Sequence, residues 1–416
     1  MSGVRVIQLQ KLNGLLALIA RDNPFYANKL KSTAITSLED FALLVPFTTK
    51  REIIEDQQLN PPYGSNLTYP LDRYTRFAQT SATTGKPMRW LDTPESWDWM
   101  LTCWDRVYDA AGVTARDRIY FAFSFGPFLG FWTAFECAAR RGSLCIPGGG
   151  LRSAARLAGM IDLSATVLCC TPTYAIRLAE TAVEEGIDLA TSKVRTILVA
   201  GEPGGSVPGT RAHVEKLWGA RVVDHHGMTE MGPVSYGCPK RRDVLHVAES
   251  EYIAEVIDPA NGKPVGQGTH GELVLTNLGR HGSPLLRYRT GDIVEAEPEG
   301  LCECGSYDLA LRGGILGRTD DMVVVRGVNV YPAAVENILR TSGGVGEYRV
   351  EVRTDRALAD LHIEVEPSPD HADDPGLAHR IETALRNALA LRIPVTVVPT
   401  GSLPRFEMKA KRWVRV

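Results

Sequence analysis

Apolar residues return every three or four positions near the start of the chain, at Leu9, Leu12, Leu15, Leu16 and Ile19, and this spacing predicts an amphipathic helix. The apolar run 14–20 inside it has the look of a secretion-signal core, but the helical period favours a helix of the folded domain. Further on the period shortens. Residues 118–123, 166–170 and 194–200 are continuous apolar runs of strand length, and the stretches 151–161 and 173–185 between them have helical spacing. Strands alternating with helices predict an α/β domain with a largely parallel sheet. Residues 251–258 and 271–277 lie close together and are rich in β-formers, which predicts an antiparallel, barrel-like subregion. The most apolar long stretch, 119–139, contains Gly126-Pro127, Gly130 and Glu136, so it reads as strand, turn and buried helix rather than a membrane span.

After Arg318 the pattern restarts. A strand at 322–326, a helix at 332–341, strands at 348–353 and 361–366, a helix near 379–391 and a last strand at 394–398 make a small α+β unit of about a hundred residues. The boundary is placed near Asp320, giving domains 1–319 and 320–416.

Composition narrows the picture. A chain of 416 residues, 44% hydrophobic and 23% charged, can bury a large core in two or three domains. A formal charge of -3 provides no global basic field, so nucleic acid is not expected as a partner, nor is a membrane, and a cytoplasmic location is expected. Of eight cysteines, Cys103, Cys137, Cys145, Cys169 and Cys170 sit in apolar runs and read as small core residues.

Five short segments carry the chemistry. The first is Gln79-Thr80-Ser81-Ala82-Thr83-Thr84-Gly85-Lys86-Pro87, after a strand at 74–78. Its hydroxyls, glycine and lysine suit a loop that wraps polyphosphate; read alone it is equally a solvated turn. It is not a Walker A loop, which needs a glycine five residues before Gly-Lys and Ser or Thr after the lysine. The second is Asp224-His225-His226-Gly227-Met228-Thr229-Glu230-Met231-Gly232, after a strand at 221–223. The third is Tyr288-Arg289-Thr290-Gly291-Asp292, and the fourth runs from Gly317-Arg318-Thr319-Asp320-Asp321-Met322 to Arg326-Gly327-Val328-Asn329-Val330-Tyr331-Pro332. The fifth is Leu403-Pro404-Arg405-Phe406-Glu407-Met408-Lys409-Ala410-Lys411-Arg412. Each alone has a bland reading as turn or charged surface.

In this order the five resemble the acyl-adenylate-forming superfamily of acyl-CoA synthetases, adenylation domains and luciferases. The nearest likeness is to its phenylacetate–CoA ligase branch, which has segments similar to Asp22-Asn23-Pro24-Phe25-Tyr26 and Leu44-Val45-Pro46-Phe47-Thr48-Thr49-Lys50. The resemblance implies a large adenylate-forming N-terminal domain and a small C-terminal lid turning about Asp320. It implies that Thr80, Ser81, Thr83, Thr84, Gly85 and Lys86 embrace the β- and γ-phosphates of ATP. Glu230 would hold Mg²⁺, whose hard character calls for oxygen ligands, and Thr229 would face the α-phosphate. His226 and Gly227 would line one side of the adenine and Gly201, Glu202 and Pro203 the other; Pro203 rules out a dinucleotide fingerprint there. Asp292 would accept the ribose hydroxyls, with Arg318 as a second ribose or phosphate contact. Lys409 would supply the cation that meets charge developing between the acid and the α-phosphate, worth about 3–4 kcal/mol by analogy with oxyanion donors.

The resemblance also places an acid pocket around Phe125, Gly126, Phe128, Ala200, His225 and Met228. Aromatic and small residues together suit a flat ring, so a small aromatic carboxylic acid is expected, although for any single Phe core packing is the simpler reading. Gly327 to Tyr331 resembles the lining of a thiol channel, implying coenzyme A or the pantetheine of a carrier protein as acceptor; an amine acceptor stays open. A homodimer is implied by the branch alone. Two departures stand out: Ala82 and Met408 replace glycines usual in the family, which keeps a non-catalytic ATP-binding relative as the opposing reading. A kinase would need phosphate loops that are missing here. Finally, Cys238 and His246, with seven residues between them, and the pair Cys302 and Cys304 add up to a Cys₃His set for a structural zinc, the alternative being four unrelated residues. Some members of the branch look similar here and carry zinc.

Overall fold

The computed structural model describes residues 3–30, 35–80, 87–326, 328–353, 359–407 and 409–416. Ser81, Ala82, Thr83, Thr84, Gly85, Lys86, Gly327 and Met408 therefore lie outside the described residues. Two compact units emerge, and neither is continuous in sequence: residues 1–150 with 225–314, and residues 151–224 with 315–416.

In the first unit, the helix Gly3–Asp22 buries Leu12, Leu15 and Ile19 against Tyr26, Phe41, Val45, Ile253, Leu278 and Leu286, the face that its period predicts. Asn23 then caps the helix Pro24–Lys29 by accepting the Tyr26 N–H, and its amide donates to Asn66 and Thr68. The helix Pro94–Ala111 starts at a Thr93 cap and stops at Gly112, which adopts φ +69. The stretch 119–139 divides as expected into the strand Arg118–Phe121, a turn and the helix Trp132–Arg140. Among the described residues no helix is long and apolar enough to cross a membrane. Strands Arg118–Phe121 and Leu144–Pro147 pair in parallel.

The β-rich subregion is a six-stranded sheet in the order Ser235–Gly237, Val244–Val247, Ala310–Arg318, Tyr288–Ala296, His270–Asn277, Tyr252–Ile257. Its registered neighbours are antiparallel, for example Leu245 opposite Leu311 and Leu275 opposite Tyr288.

In the second unit, the strands Val167–Cys170, Thr196–Val199 and Arg221–Asp224 run parallel, connected by the helices Pro172–Glu184 and Pro208–Trp218. Every residue of the first two of these strands is buried, which is why they read as unbroken apolar runs. The rest of the unit is a four-stranded sheet in the order Val395–Val397, Asp360–Pro367, Val345–Arg353, Trp413–Arg415, with the helices Pro332–Ser342 and Leu377–Leu389. Val335, Leu339, Val350, Ile363, Val365, Leu377, Ile381 and Leu385 form its core. The strand Trp413–Arg415 was not foreseen; it pairs in parallel with the sheet, Trp413 opposite Val350. Helix Pro208–Trp218 meets helix Pro332–Ser342 at Gly209, whose N–H donates to Asn337 Oδ1 at 2.9 Å. A side chain on Gly209 would come within 3.0 Å of Arg340 and 2.9 Å of Thr341, so glycine is what lets the two helices approach.

Candidate active site

The segment after His226 is a tight hairpin. Gly227–Met228 pairs with Gly232–Pro233 and leaves Thr229, Glu230 and Met231 at the tip. Gly232 takes φ +87, and a Cβ on Gly227 would lie 2.9 Å from the Gly232 carbonyl, so both glycines are required by the turn. The tip is held by its carbonyls. Arg280 Nη1 donates to Thr229 O at 2.7 Å and Glu230 O at 2.8 Å, and Tyr252 Oη donates to Met231 O at 2.9 Å. Arg280 in turn donates Nε and Nη2 to the two carboxylate oxygens of Asp92, each at 2.7 Å, and both side chains are fully buried. The Thr229 hydroxyl and Glu230 carboxylate are hard oxygen donors on partly exposed residues, a donor set that fits Mg²⁺.

Thr80 bonds to Met88 across the hydroxyl-rich segment: its N–H donates to Met88 O, and its hydroxyl accepts the Met88 N–H, both at 3.0 Å. The strand before that loop, Arg76–Gln79, pairs antiparallel with Arg89–Asp92, which ends on the carboxylate that grips Arg280.

His226 and Asp292 meet at 3.1 Å through Nε2 and Oδ2, both nearly buried. Asp292 is fixed through its own N–H, which donates to the Thr290 hydroxyl, itself bonded to Leu273 O. The remaining ring nitrogen of His226, Nδ1, is buried and has no hydrogen-bond partner among the described residues. An unsatisfied imidazole nitrogen beside a carboxylate fits a polar ligand such as a nucleoside.

His225 is enclosed. Its ring lies 4.3 Å from that of Trp104, and its Nδ1–H donates to Ser235 O at 2.6 Å. Burial pushes its pKa down from 6.5 to about 4, so the ring is neutral at physiological pH. The unfolded chain takes up this proton below pH 6.5 and the folded chain only near 4. His225 should therefore withdraw about 1–2 kcal/mol of stability as the pH is lowered from 7 to 5, a change opposed by Glu249, whose carboxyl burial raises to about 7. Urea melts at several pH values would show this, and His225→Asn should remove that part of the slope.

Phe125 belongs to a run of rings that approaches His225. Phe125 lies 4.7 Å from Phe123 and 4.6 Å from Trp132; Phe123 lies 4.7 Å from Phe131; Phe131 lies 6.1 Å from Trp104. Gly126 contributes its carbonyl to Trp132 Nε1 at 3.0 Å. Phe128 is 36% exposed, and its ring lies beside Gly126, about 3.5 Å from where a Cβ on that glycine would be. Met228 sits on the hairpin.

In the second unit, Ala200 donates its N–H to Cys170 O, and Gly201 turns with φ +96. The Glu202 carboxylate, on a partly buried residue, accepts N–H bonds from Thr173 and Ala410, each at 2.9 Å. Burial raises its pKa, which these bonds partly oppose. The bond to Ala410 draws in the neighbouring Lys409, whose Cε would be 3.7 Å from a Cβ on Gly201. Pro203 follows in an exposed bend. Beyond the lysine, Arg412 donates to both oxygens of Glu347 at 2.5 and 3.0 Å in a nearly dry setting. Arg318 pairs with Asp320 at 2.9 Å near the surface. Asp92, Arg280, Tyr252, Glu347 and Arg412 are supports that the sequence did not disclose: each acts on a segment remote in the chain.

The four soft ligands also converge. Donor atoms of Cys238, His246, Cys302 and Cys304 all lie within 4.8 Å of one another. Cys238 Sγ and Cys302 Sγ are 3.7 Å apart, and Cys304 Sγ is 3.4 Å from His246 Nε2. Two thiolates about 2.3 Å from one tetrahedral ion would be about 3.8 Å apart, so the spacing fits zinc. His246 Nδ1 donates to Asp308 O at 2.9 Å, which turns Nε2 toward the thiols.

Residues 77–279 match the AMP-binding enzyme family, and residues 327–415 match the C-terminal domain of AMP-binding enzymes. The phenylacetate–coenzyme A ligase of Thermus thermophilus is 30% identical, over 97% of this chain and 94% of its own length. The chain belongs to that family. Its Escherichia coli counterpart is 28% identical over 98% of this chain and 94% of that protein. Among solved structures, a 2-hydroxyisobutyryl-CoA ligase bound to an acyl-AMP superposes with a TM-score of 0.92 at 28% identity, covering 98% of this chain and 89% of that one. The enzyme is an ATP-dependent, AMP-forming acid–thiol ligase of the phenylacetate–CoA ligase-like branch.

Proposed function

We propose that this ligase activates a small aromatic carboxylic acid as its acyl-AMP and transfers the acyl group to coenzyme A. The observation that carries the choice of acid is the run of aromatic rings from Phe125 through Phe123, Phe131 and Trp104 to the neutral His225. A run of tilted aromatic rings ending in one polar ring suits an aryl or arylacetic acid better than a long aliphatic one.

In the first half-reaction a carboxylate oxygen attacks the α-phosphorus of ATP, and the bond to pyrophosphate breaks. Glu230 and Thr229 would hold the Mg²⁺–phosphate end, where the bound ion would offset phosphate charge. Thr80, Ser81, Thr83, Thr84, Gly85 and Lys86 cover the leaving phosphates. In the first unit His226 and Gly227 serve the adenine and Asp292 the ribose; Gly201, Glu202, Pro203 and Arg318 are assigned to the same nucleotide by the family resemblance alone. Lys409 meets the charge that grows as the acyl–phosphate bond forms. In the second, the thiol attacks the acyl carbon, AMP leaves, and the thiol proton departs to solvent. Lys409 serves only the first step, so residues 320–416 act as a lid that turns about Asp320 between the two. Coenzyme A rather than a carrier protein is favoured by the names of the full-length relatives. A structural zinc on Cys238, His246, Cys302 and Cys304, a cytoplasmic location and a homodimer complete the reading.

ATP–pyrophosphate exchange tests it, with phenylacetate, benzoate, anthranilate, 2-hydroxyisobutyrate and hexanoate as acids, followed by thioester detection with coenzyme A. Fastest exchange with an aryl acid is expected. Clear preference for 2-hydroxyisobutyrate would replace the aromatic acid with a small hydroxy acid while leaving the ligase chemistry intact.

A further inference from the structure

A fully buried ion pair needs a reason, because two charges removed from water often contribute less to stability than apolar side chains of the same size. Asp92 and Arg280 are such a pair, 188 residues apart in the chain and both at zero exposure. The guanidinium has five N–H groups. Two go to the Asp92 carboxylate as a fork, and Nη1 serves both the Thr229 and the Glu230 carbonyl. The Trp90 ring lies 5.3 Å from the guanidinium carbon.

These two carbonyls are special in one respect. They belong to the peptide planes immediately before and after the Glu230 Cα, and each plane is rigid. Anchoring both to one nitrogen fixes φ and ψ of Glu230, and with them the direction of its Cβ. Asp92 in turn fixes the guanidinium. A lysine offers a single nitrogen and could not span the carboxylate fork and both carbonyls.

We propose that Asp92 and Arg280 are a positioning pair that aims the Glu230 carboxylate and thereby sets the affinity for the Mg²⁺ complex of ATP. The inference rests on the reading that Glu230 holds Mg²⁺ and Thr229 faces the α-phosphate.

Three variants of the full chain test it: Arg280→Lys, the double Asp92→Leu with Arg280→Met, and Glu230→Gln. ATP binding is measured by calorimetry across a range of free Mg²⁺ and in EDTA, beside melting temperature and the KM for the acid. In Arg280→Lys and the double variant, the free Mg²⁺ needed for half-maximal ATP binding should rise about 10–100-fold, the scale seen when groups supporting a metal ligand are lost. ATP binding in EDTA and the acid KM should change little, and the double variant should stay folded with a melting temperature close to wild type, since apolar atoms fill its pocket while the Thr229 and Glu230 carbonyls lose a donor. Wild-type Mg²⁺ dependence in the double variant overturns the proposal. So does equal loss of ATP binding with and without Mg²⁺, or failure of both variants to fold, because the pair would then serve the fold alone. Glu230→Gln separates the two readings: if it leaves Mg²⁺ dependence unchanged, the assignment of Glu230 itself is wrong. If it raises the Mg²⁺ requirement while the pair variants do not, only the positioning role falls.

Discussion

Lys409→Ala is expected to slow ATP–pyrophosphate exchange by about 10²–10³-fold, the cost of removing one preorganised donor from a charge-building transition state. ATP binding should survive, since the lysine is exposed and its neighbour Ala410, not its own side chain, makes the bond to Glu202. Thioester formation from supplied acyl-AMP should also survive, because the thiol attack does not use this cation. Lys411→Ala is the control, two residues along the same basic tail. Loss of exchange in Lys411→Ala with normal exchange in Lys409→Ala would move the catalytic cation by two positions. No exchange in the unsubstituted enzyme with any acid, despite tight ATP binding, would point to Ala82 and Met408 as marks of lost catalysis.

The second large effect concerns the Cys₃His cluster. The purified protein should carry one zinc per chain, and Cys302→Ser should lose it and melt roughly 5–10 °C lower, taking about 2–4 °C per kcal/mol for a domain of this size. The cause is local: Cys302 and Cys304 sit on a turn closed by Gly305 N–H to Cys302 O and Cys302 N–H to Ser306 O, while His246 and Cys238 belong to or border adjacent strands of the six-stranded sheet. An ion shared by these residues ties the turn to the sheet. Arg241 reinforces the same corner, its backbone N–H donating to Cys238 Sγ and its guanidinium bound to both oxygens of Glu297. Metal analysis showing no zinc in protein whose three cluster thiols, Cys238, Cys302 and Cys304, react freely would end this idea. Exchange activity of Cys302→Ser at low temperature should stay close to wild type, since the cluster contributes order and no chemistry.

What the sequence disclosed depended on distance along the chain. The helix Gly3–Asp22 and the strands Val167–Cys170 and Thr196–Val199 were legible because period and apolarity are local properties. The strands Val244–Val247, Tyr288–Ala296 and Ala310–Arg318 were not. Thr290-Gly291 and Gly313-Gly314 interrupt the last two, and their strand character comes from partners in the sheet. Trp413–Arg415 reads as a basic tail until Val350 pairs with Trp413. The candidate site divides in the same way. Thr229 and Glu230 stand in one short motif, whereas Asp92 and Arg280 acquire meaning only when folding joins them. Phe125 shows the same dependence: residue type suggested a pocket wall, but only the fold brings the rings of Phe123 and Trp132 against it.

The order of the small sheet has a consequence for the timing of synthesis. Trp413–Arg415 is the strand of that sheet latest in sequence, and it lies beside Val345–Arg353, some sixty residues upstream of it. A chain emerging from the ribosome can build the helices and the hairpin of strands Val345–Arg353 and Asp360–Pro367 early, but this edge stays open until the end of the sheet arrives. Lys409 travels with that final strand. On the role proposed for Lys409, the nascent chain gains this cation only after the Gly227–Pro233 hairpin and its buried ion pair have had time to assemble.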